Sequence, residues 1–524
     1  MNNLPYCVIG SGPSSVAAAV ALLNQNQKIV MVDVGTDLDA EKSSILNNIY
    51  HDSSLALNSD LLKKLYSFNL YEANQSSYVK STYGSTYCYE TNNFFDSNSS
   101  SLSISSSLSK GGLSCVWGAT VLPYNSLDIA DWPITFDSLR AHNDAIANIL
   151  PIACYQDPIT SPFYPPIKTT SNFLNFSPSI KNLLIHLNSN KHILNSNGIS
   201  FQNSLLALSN FDSNDKDCIY CGNCMRGCQK QLIYNSKFTL ANLLRNENFS
   251  YISNTKLIKF KESNNLVSLK CRNVITNHIH TIDCKRLYIG CGVINSAKIL
   301  IESYGLNDKE LSIKDSQYFY FPILQKKYIG NDITSLNALC QLFMKISLFH
   351  SNKYSHLQLY PMNITFESII RNFPYINYFP KKFLRLLLSN FFLIQAYLPS
   401  EFSSIVKIKF NTNLNTFSIV SNPLTSQAID FVVDKISENS KYMGIFPALK
   451  RKIITGLPCS GHHFGSTFPM SNQPTGLNSD IYGRILGSKR VHCIDASIFP
   501  NIPPGPITFN IMANAHRIAS HFKD

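Results

Sequence analysis

The chain has 524 residues, 44% hydrophobic and 15% charged, which predicts a globular protein with more than one core. The net charge of +12 fits anionic substrates or an anionic membrane surface, and the lack of a Lys/Arg-rich block argues against nucleic-acid binding. Fourteen cysteines, no secretory signal over residues 1–9 and no run of 18 apolar residues together favour a reducing, cytoplasmic location without a spanning helix.

The first elements in chain order form a βαβ pattern. An apolar strand is expected over residues 6–9, followed by the Gly- and Ser-rich loop 10–15 and an Ala/Val-rich helix from 16 to about 23. A second apolar strand follows over residues 29–32. Strand, loop, helix and strand in this order are typical of a dinucleotide-binding unit.

Four residues of this unit are candidate nucleotide-binding residues. Gly10 and Gly12 allow backbone N–H groups at the helix N-terminus to approach a pyrophosphate, and Ser15 is small enough for close packing of helix on strand. Asp33 follows the second strand, 23 residues after Gly10, where it can accept hydrogen bonds from ribose hydroxyls. The alternative is a glycine turn that binds no ligand.

The later elements are less regular. Residues 92–109 are rich in Asn and Ser and predict a surface loop or lid. A helix is expected to begin within residues 132–137, with Asp137 as its N-cap. The remaining predicted elements are a buried strand that begins at 287, a helix over 296–303, alternating strands and helices over 311–454, and a last helix over 511–522.

Four cysteines lie within eleven residues: Cys218, Cys221, Cys224 and Cys228. The C-x2-C-x2-C-x3-C spacing is that of iron–sulfur ligation, but four thiolates can also hold zinc or stay reduced without a metal. Gln229, rather than Pro, follows the last cysteine and there is no second quartet, which excludes a two-cluster ferredoxin module. The cluster predicts a metal centre, with iron–sulfur and zinc both open.

Two adjacent histidines, His462 and His463, lie in a Gly-rich stretch near the C-terminus. Because imidazole titrates near neutrality, two histidines in such a loop are candidates for acid–base catalysis. The alternative is a structural role for one or both.

Residues 379–388 place Lys and Arg beside large apolar residues. As a helix this stretch could lie on an anionic leaflet, or it could cover the substrate domain.

Several segments resemble the glucose–methanol–choline (GMC) oxidoreductases. Residues 462–467 resemble the family's H-x-x-G-T element, and residues 490–505 look like its closing signature, whose Asp contacts the flavin. Residues 110–118 and 287–296 resemble its glycine segment and its internal flavin strand. The resemblance implies an FAD cofactor, held at Gly10, Gly12, Ser15, Asp33, Gly111, Gly112, Ser114, Gly292, Asp495 and Ala496.

The cysteine cluster resembles one branch of that family, the FAD-dependent glucose and fructose dehydrogenases of bacteria. There, three cysteines matching Cys218, Cys224 and Cys228 hold an iron–sulfur cluster beside the flavin; Cys221 is additional here. This resemblance implies a 3Fe–4S or 4Fe–4S cluster and a sugar or related alcohol as substrate. It also implies an electron acceptor, which would be a quinone, a cytochrome or another redox protein.

The resemblance also implies how the residues divide the chemistry. His462 would take the proton of a hydroxyl group while hydride passes to flavin N5, and His463 or Asn510 would orient the alkoxide. The family's second catalytic position aligns with Pro506, whose side chain can neither donate nor accept a hydrogen bond.

The expected fold class is α/β, with a discontinuous Rossmann-like FAD-binding domain and a mixed-sheet α+β substrate domain. The FAD-binding domain would take residues 1–130, 215–310 with the iron–sulfur segment, and 455–524 with the catalytic histidine; the substrate domain would take 131–214 and 311–454. Two alternatives remain: a non-catalytic or redox-sensing flavoprotein with structural zinc, and a long-chain alcohol or lipid dehydrogenase. The latter would contact the inner face of the membrane peripherally.

Overall fold

A computed structural model gives the structure of the chain. The residues that it describes are 4–52, 55, 58–65, 87–89, 103–155, 163–170, 173–208, 218–228, 230–307, 309–327, 333, 336–349, 351–363, 380–411, 416–421, 426–448 and 453–521. The predicted loop over 92–109 lies outside them up to residue 102, and so do Phe379 and residues 522–524.

The described strands and helices are as follows. The strands are β1 (Tyr6–Ile9), β2 (Ile29–Val32), β3 (Thr120–Val121), β4 (Ile152–Tyr155), β5 (Phe173–Leu174), β6 (Ile199–Asn203), β7 (Leu205–Ala207), β8 (Phe249–Ile252), β9 (Thr255–Glu262), β10 (Val267–Asn273), β11 (Ile279–Cys284), β12 (Arg286–Ile289), β13 (Glu310–Asp315), β14 (Tyr318–Leu324), β15 (Leu342–Ser347), β16 (Tyr354–Pro361), β17 (Phe391–Tyr397), β18 (Ile405–Asn411), β19 (Thr416–Ser421), β20 (Ile454–Thr455), β21 (Phe464–Gly465) and β22 (Val491–Cys493). The α-helices are α1 (Pro13–Leu23), α2 (Ala40–His51), α3 (Ser59–Leu65), α4 (Phe136–Arg140), α5 (Asn143–Ile149), α6 (Pro178–Ser189), α7 (Lys191–Ser196), α8 (Ser236–Leu243), α9 (Val293–Tyr304), α10 (Lys381–Leu388), α11 (Ser426–Glu438), α12 (Ser440–Met443) and α13 (Thr508–His521). Short 3-10 helices cover Gly112–Cys115, Cys224–Arg226, Ser400–Phe402 and Ala496–Ile498.

A five-stranded parallel sheet, in the order β22-β12-β1-β2-β8, joins segments that are far apart in the sequence. Strands β1 and β2 lie where the sequence predicts them, and α1 connects them. This helix begins at Pro13, three residues before its predicted start, because Pro is well tolerated in a first helical turn. The carboxyl ends of parallel strands share one edge, which therefore collects the residues that follow β1, β2, β12 and β22.

A six-stranded antiparallel sheet, in the order β20-β14-β17-β16-β15-β6, lies across from that edge and is called the roof sheet below. Its register pairs His356 of β16 with Tyr397 of β17, and Gln358 with Gln395. Residues paired in this way point to the same face, because side chains alternate along each strand. The described strands thus form a mixed α/β fold with parallel and antiparallel sheets, while the predicted domain boundaries stay predictions.

Two local expectations can be compared with the structure. Helix α4 begins as expected near residue 136, but its N-cap is Thr135 and not Asp137. The Oγ1 atom of Thr135 accepts a hydrogen bond of 3.2 Å from the N–H of Ser138 and so caps the first turn of the helix. Asp137 already lies within that turn and is therefore not the N-cap. The amphipathic stretch does form helix α10, and none of the described helices is long and apolar enough to cross a bilayer.

Candidate active site

The dinucleotide loop lies at the carboxyl edge of β1. Gly10 has a φ of +87°, and a Cβ there would lie 3.2 Å from the carbonyl oxygen of Gly290. Gly12 is the N-cap of α1, without a side chain to bond the first N–H groups, and a Cβ there would meet nothing within 4 Å. The N-terminus of α1 therefore faces open space with free donors, as a pyrophosphate site requires.

Ser15 does not face that open space. Its Oγ atom donates to the carbonyl oxygens of Ile9 (3.0 Å) and Gly290 (3.2 Å), which ties α1 to β1 and to the end of β12. A side chain larger than Ser would disturb this packing, so the position supports the loop from behind.

Ser11 connects Asp33 with the glycine segment. The carboxylate of Asp33 accepts hydrogen bonds from Ser11 Oγ and from Tyr251 Oη, the latter at 3.0 Å, while Ser11 Oγ accepts from the N–H of Gly111 at 2.9 Å. Burial raises the pKa of Asp33 to about 6, although both hydrogen bonds to the carboxylate act in the opposite direction. Ribose hydroxyls at this position would offer the carboxylate further donors.

The glycine segment packs directly on the dinucleotide loop. Gly111 and Gly112 have φ values of +87° and +58°, and a Cβ on Gly112 would lie 3.3 Å from the Cα of Gly12. The Oγ atom of Ser114 donates to the carbonyl oxygen of Gly111 (2.6 Å) and accepts from the N–H of Ser236 (2.9 Å). Glycine is needed here for both its conformation and its size.

Asp495, which follows β22, lies at the same edge. Its carboxylate accepts hydrogen bonds from Ser296 Oγ (2.5 Å) and from the N–H of Ser497 (2.9 Å). Gly292, with a φ of +80°, is the N-cap of α9. Ala496, the residue after Asp495, lies so close to Gly465 that a side chain on Gly465 would not fit. The closing motif and the histidine loop are therefore in direct contact.

The histidine loop, defined here as residues 459–465, is held by Asp315. This buried carboxylate accepts a hydrogen bond of 2.7 Å from the N–H of Cys459, and burial raises its pKa to about 7. The N–H of Ser316 donates to the carbonyl oxygen of His463 at 2.8 Å, and β13 pairs with β21. Asp315 thus fixes the loop through its backbone.

Both histidine rings reach the space between the parallel sheet and the roof sheet. The ring of His463 lies 4.8 Å from the ring of Tyr397, and the ring of His462 lies 6.3 Å from that of Tyr89. His462 has a φ of +59°, an uncommon conformation for a residue with a side chain. Such backbone conformations persist where the surrounding structure imposes them, often at functional sites.

Asn510 is not brought together with the two histidines. Its Nδ2 atom donates to the carbonyl oxygen of Leu122 and its Oδ1 atom accepts from the N–H of Tyr124, both at 2.8 Å. The side chain is 1% exposed and does not line the cavity described next. The expectation that Asn510 faces the substrate is not supported, because both ends of its amide are used to hold the backbone.

One continuous cavity of about 350 Å³, called the central cavity below, joins these groups. Its size is within the usual range of small-molecule sites. Its parallel-sheet side is lined by Gly10, Ser11, Gly12, Asp33, Gly112, Ser114, Gly290, Gly292, Asp495 and Ala496. Its other side is lined by Tyr89, Trp117, Met225, Tyr318, Tyr320, Gln358, Tyr360, Leu393, Gln395, Tyr397, His462, His463, Pro506 and Thr508.

These residues fit an FAD molecule. The N–H donors of the helix that begins after Gly12 would bind the pyrophosphate, and the carboxylate of Asp33 would bind the ribose. Gly112, which has no side chain, would let the flavin ring come close to the backbone. A second cavity of about 590 Å³ shares Gly10 and Asp33 with the central cavity and leaves room for an adenine beyond the ribose. Eight of the ten predicted FAD residues line the central cavity itself, and the other two, Ser15 and Gly111, support the residues that do.

Part of the cysteine cluster borders a smaller cavity, which shares Trp117 and Met225 with the central cavity. Cys224 and Cys228 line this smaller cavity. Asn337 contacts two of the thiols, with Nδ2 at 3.8 Å from Cys218 Sγ and Oδ1 at 3.9 Å from Cys224 Sγ.

Over the described ranges, no group of three or more His, Cys, Asp or Glu side chains could hold a metal ion. Burial raises the pKa of all four thiols of the cluster, with values of about 12 for Cys218 and about 11 for Cys228. Metal binding would have to displace the protons of these thiols. Because the described side chains include no metal-holding group, the structure does not support the predicted iron–sulfur or zinc site, which stays a prediction.

Sequence reasoning missed several residues of this site. Ser11, Tyr251 and Asp315 connect or fix its parts. Tyr251 and Asp315 belong to no motif, and each reaches its partner only through pairing between distant segments. The tyrosines and glutamines of the roof sheet show only the alternation of half-buried strands. For Ser11 a signal was present, since the side chain lies between two loop glycines.

Comparison with known proteins adds the fold. No protein-family model matches the sequence, and no curated protein matches it. The crystal structure of pyridoxine 4-oxidase from Mesorbium loti superposes with a TM-score of 0.60, covering 99% of each chain at 12% sequence identity. The chain has the fold of pyridoxine 4-oxidase. At this identity the likeness concerns the fold, and activity has to be argued from the site.

Proposed function

We propose that this protein is an FAD-dependent oxidoreductase of the GMC type that oxidises a hydroxyl group of an alcohol. The observation that carries the proposal is the central cavity, which joins the dinucleotide loop at Gly12, the carboxylates of Asp33 and Asp495, and the rings of His462 and His463. Pyridoxine 4-oxidase, which has the same fold, is by its name an oxidase of pyridoxine. The resemblance of the closing motif to that of the GMC family supports the same chemistry.

In the proposed reaction the substrate loses a proton from its hydroxyl group and a hydride from the carbon atom. Bound FAD would supply the acceptor for the hydride that leaves the carbon atom. His462, whose ring lines the cavity, accepts the proton of the substrate hydroxyl, and His463 holds the oxygen from the other side. Tyr397 packs on the ring of His463 and limits its rotation. The buried Asp315 keeps the backbone of the loop in place.

Asn510 has a supporting role in this proposal. Because its amide is bonded to the backbone at Leu122 and Tyr124, the second polar group at the substrate is His463. Pro506 lines the cavity and shapes it without bonding to the substrate. This assignment needs no polar side chain at the position of Pro506.

The proposal can be narrowed in two respects. The substrate would be a sugar or related alcohol. Electrons would leave through an iron–sulfur cluster held by Cys218, Cys221, Cys224 and Cys228. The resemblance to the sugar dehydrogenase branch favours it, and so does the position of Met225, which lines both the central cavity and the cavity of Cys224 and Cys228. A quinone, a cytochrome or a redox protein would then accept the electrons. Structural zinc at the same cysteines, in a flavoprotein without turnover, is the competing proposal.

A second candidate is an oxidase, in which reduced flavin passes electrons directly to oxygen. The name of pyridoxine 4-oxidase favours it. In that case the cysteines need not carry electrons.

The test is anaerobic purification, followed by an absorbance spectrum and by iron, zinc and sulfide analysis of the same sample. Bound flavin that bleaches when an alcohol is added supports the proposed oxidoreductase, and a preparation without flavin contradicts it. Iron with sulfide favours the relay, zinc without iron favours the structural site, and rapid reoxidation by air with hydrogen peroxide release favours the oxidase.

A further inference from the structure

The roof of the central cavity is built from neutral polar side chains in two aligned rows. The register of the roof sheet places Tyr318 beside Tyr397 in one row, and Tyr320 beside Gln395 and Gln358 in the next. All five side chains line the cavity. Antiparallel pairing therefore presents them as one surface opposite the dinucleotide loop.

Several of these groups have hydrogen-bonding capacity left over. Among the described residues, the amide of Gln395 and the hydroxyls of Tyr318, Tyr320 and Tyr397 have no hydrogen-bond partner. Gln358 differs, because its Oε1 atom accepts a hydrogen bond of 2.6 Å from Tyr360 Oη. Polar groups that face an enclosed cavity without protein partners are available to a ligand.

The lining contains no described Lys or Arg. Its charged side chains are Asp33 and Asp495, both on the parallel-sheet side. Lys345 is on the same face of the roof sheet, cross-strand from His356, but its Nζ atom lies 4.2 Å from the ring centroid of Tyr354 and the residue does not line the cavity. The positive net charge of the chain is therefore not concentrated at this site.

We infer that Gln395 is a specificity-determining residue, which contacts hydroxyl groups of the substrate and selects against phosphorylated and carboxylated alcohols. This inference rests on the proposed function and assigns a residue to its substrate selection. A hydroxyl both donates and accepts, as do a tyrosine hydroxyl and a glutamine amide, so the partners are complementary. An anion would lose its hydration in a cavity whose described lining offers it no Lys or Arg, which is costly.

The experiment uses the FAD-loaded full chain and follows anaerobic flavin reduction by stopped-flow absorbance. Each neutral sugar or polyol is paired with its phosphorylated or carboxylated counterpart at equal concentration, for example glucose with glucose 6-phosphate and with glucuronate. Benzyl alcohol serves as a neutral alcohol with one hydroxyl. We expect at least one neutral polyol to reduce the flavin, and to do so at least 10-fold faster than its charged counterparts and than benzyl alcohol.

Other outcomes separate this inference from the proposed function. A charged counterpart that reacts as fast as the neutral polyol, or benzyl alcohol as the fastest compound, overturns the inference and leaves the oxidoreductase in place. If flavin is bound but no alcohol reduces it, the proposed function fails and the inference fails with it.

A charge placed at Gln395 tests the residue itself. Gln395→Lys is expected to shift the rate ratio of neutral to phosphorylated substrate at least 10-fold toward the phosphorylated one. Gln473→Lys, the same change at an exposed residue that does not line the central cavity, is the control and should leave the ratio unchanged.

Should Gln395→Lys fail to fold, Gln395→Leu replaces it. Loss of the amide is expected to raise KM for the neutral polyol at least 5-fold, with no gain for the phosphorylated compound. An unchanged ratio in a folded Gln395→Lys protein, or an unchanged KM in Gln395→Leu, means that Gln395 does not contact the substrate, and the inference is wrong.

Discussion

The ring of His463 lies against the ring of Tyr397, with 4.8 Å between the ring centroids and 30° between the planes. This contact joins the histidine loop, which also lies against Ala496 of the closing motif, to the roof sheet. It therefore couples the proposed acid–base residues to the side chains that would select the substrate. No pattern in the sequence relates residue 397 to residue 463, so this contact is visible only in the folded chain.

The two histidines can be tested against each other. We expect His462→Asn to slow flavin reduction by about 10²- to 10⁴-fold, because the proton of the substrate hydroxyl loses its acceptor. His463→Asn should cost less, since an amide can still hold the oxygen. Stopped-flow flavin reduction measures both, with His278→Asn on the exposed end of the β10–β11 hairpin as a control. Equal rates in His462→Asn and the native protein would remove His462 from the mechanism.

Asn510 should behave in the opposite way. Asn510→Leu leaves the N–H of Tyr124 and the carbonyl oxygen of Leu122 buried without their partners, at a cost of about 1–3 kcal/mol each. We expect a lower free energy of unfolding, measured by urea denaturation, while flavin reduction in the folded fraction falls far less than in His462→Asn. A variant of native stability that cannot reduce its flavin would instead place Asn510 at the substrate.

Gly112 and Gly476 form a matched pair that tests the close contact between the glycine segment and the dinucleotide loop. Their φ values are +58° and +59°, but a Cβ on Gly112 would lie 3.3 Å from Gly12 Cα, whereas one on Gly476 meets nothing within 4 Å. Both Ala variants carry the backbone penalty of about 1–2 kcal/mol. We expect only Gly112→Ala to lower the FAD content per polypeptide, read from the flavin absorbance. Equal FAD content in the two variants would contradict the proposed packing of the two loops.

Asp315 predicts a pH dependence of stability. Its folded pKa is raised to about 7 by burial, whereas an unfolded Asp titrates near about 4, so the folded state holds the proton more tightly. The stabilisation is complete below the unfolded value and is lost as pH rises toward 7, by up to ~1.4 kcal/mol per pH unit. Asp33, with its pKa raised to about 6, acts with the same sign.

The contribution of Asp315 can be isolated by substitution. In Asp315→Asn the free energy of unfolding should decline less between pH 4 and 7 than in the native protein, measured by denaturation at each pH. The amide oxygen can still accept from the N–H of Cys459. Asp137→Asn, whose side chain is 82% exposed, is the control. Parallel pH profiles for the native protein and Asp315→Asn would mean that Asp315 does not bind a proton in this range.

The cysteine cluster makes a prediction about metal content. If it holds iron and sulfide, Cys224→Ser should reduce both per polypeptide while the flavin remains, and substrate should still bleach the flavin without transfer to an external acceptor. Cys271→Ser, a buried cysteine of β10, should change neither. Removal of the metal with a chelator should have the same effect as Cys224→Ser. Iron and sulfide at native levels in Cys224→Ser would assign them to other ligands.

The sequence by itself determined the parts of the site that are local. Gly10, Gly12 and Asp33 belong to one short strand–helix–strand unit. The strands and the helix of this unit are set by residues close together in the sequence, so the relative positions of the three residues could be predicted. The clustering of four cysteines was equally visible, because it depends on spacing alone. The Gly-rich surroundings of the two histidines marked them as candidates, and the resemblance of the closing motif added Asp495, without showing what these residues contact.

The tertiary structure decided everything that depends on chain segments far apart in sequence. Asn510 is turned to the backbone at Leu122 and not to the cavity, because helix α13 presents several faces and packing selects one. Asp315 meets the N–H of Cys459 through the pairing of β13 with β21. The roof rows depend on register, and a shift by one residue would turn Gln395 to the opposite face. Local patterns carry no information on register between strands, which is why the neutral polar surface of the roof sheet appeared only in the folded chain.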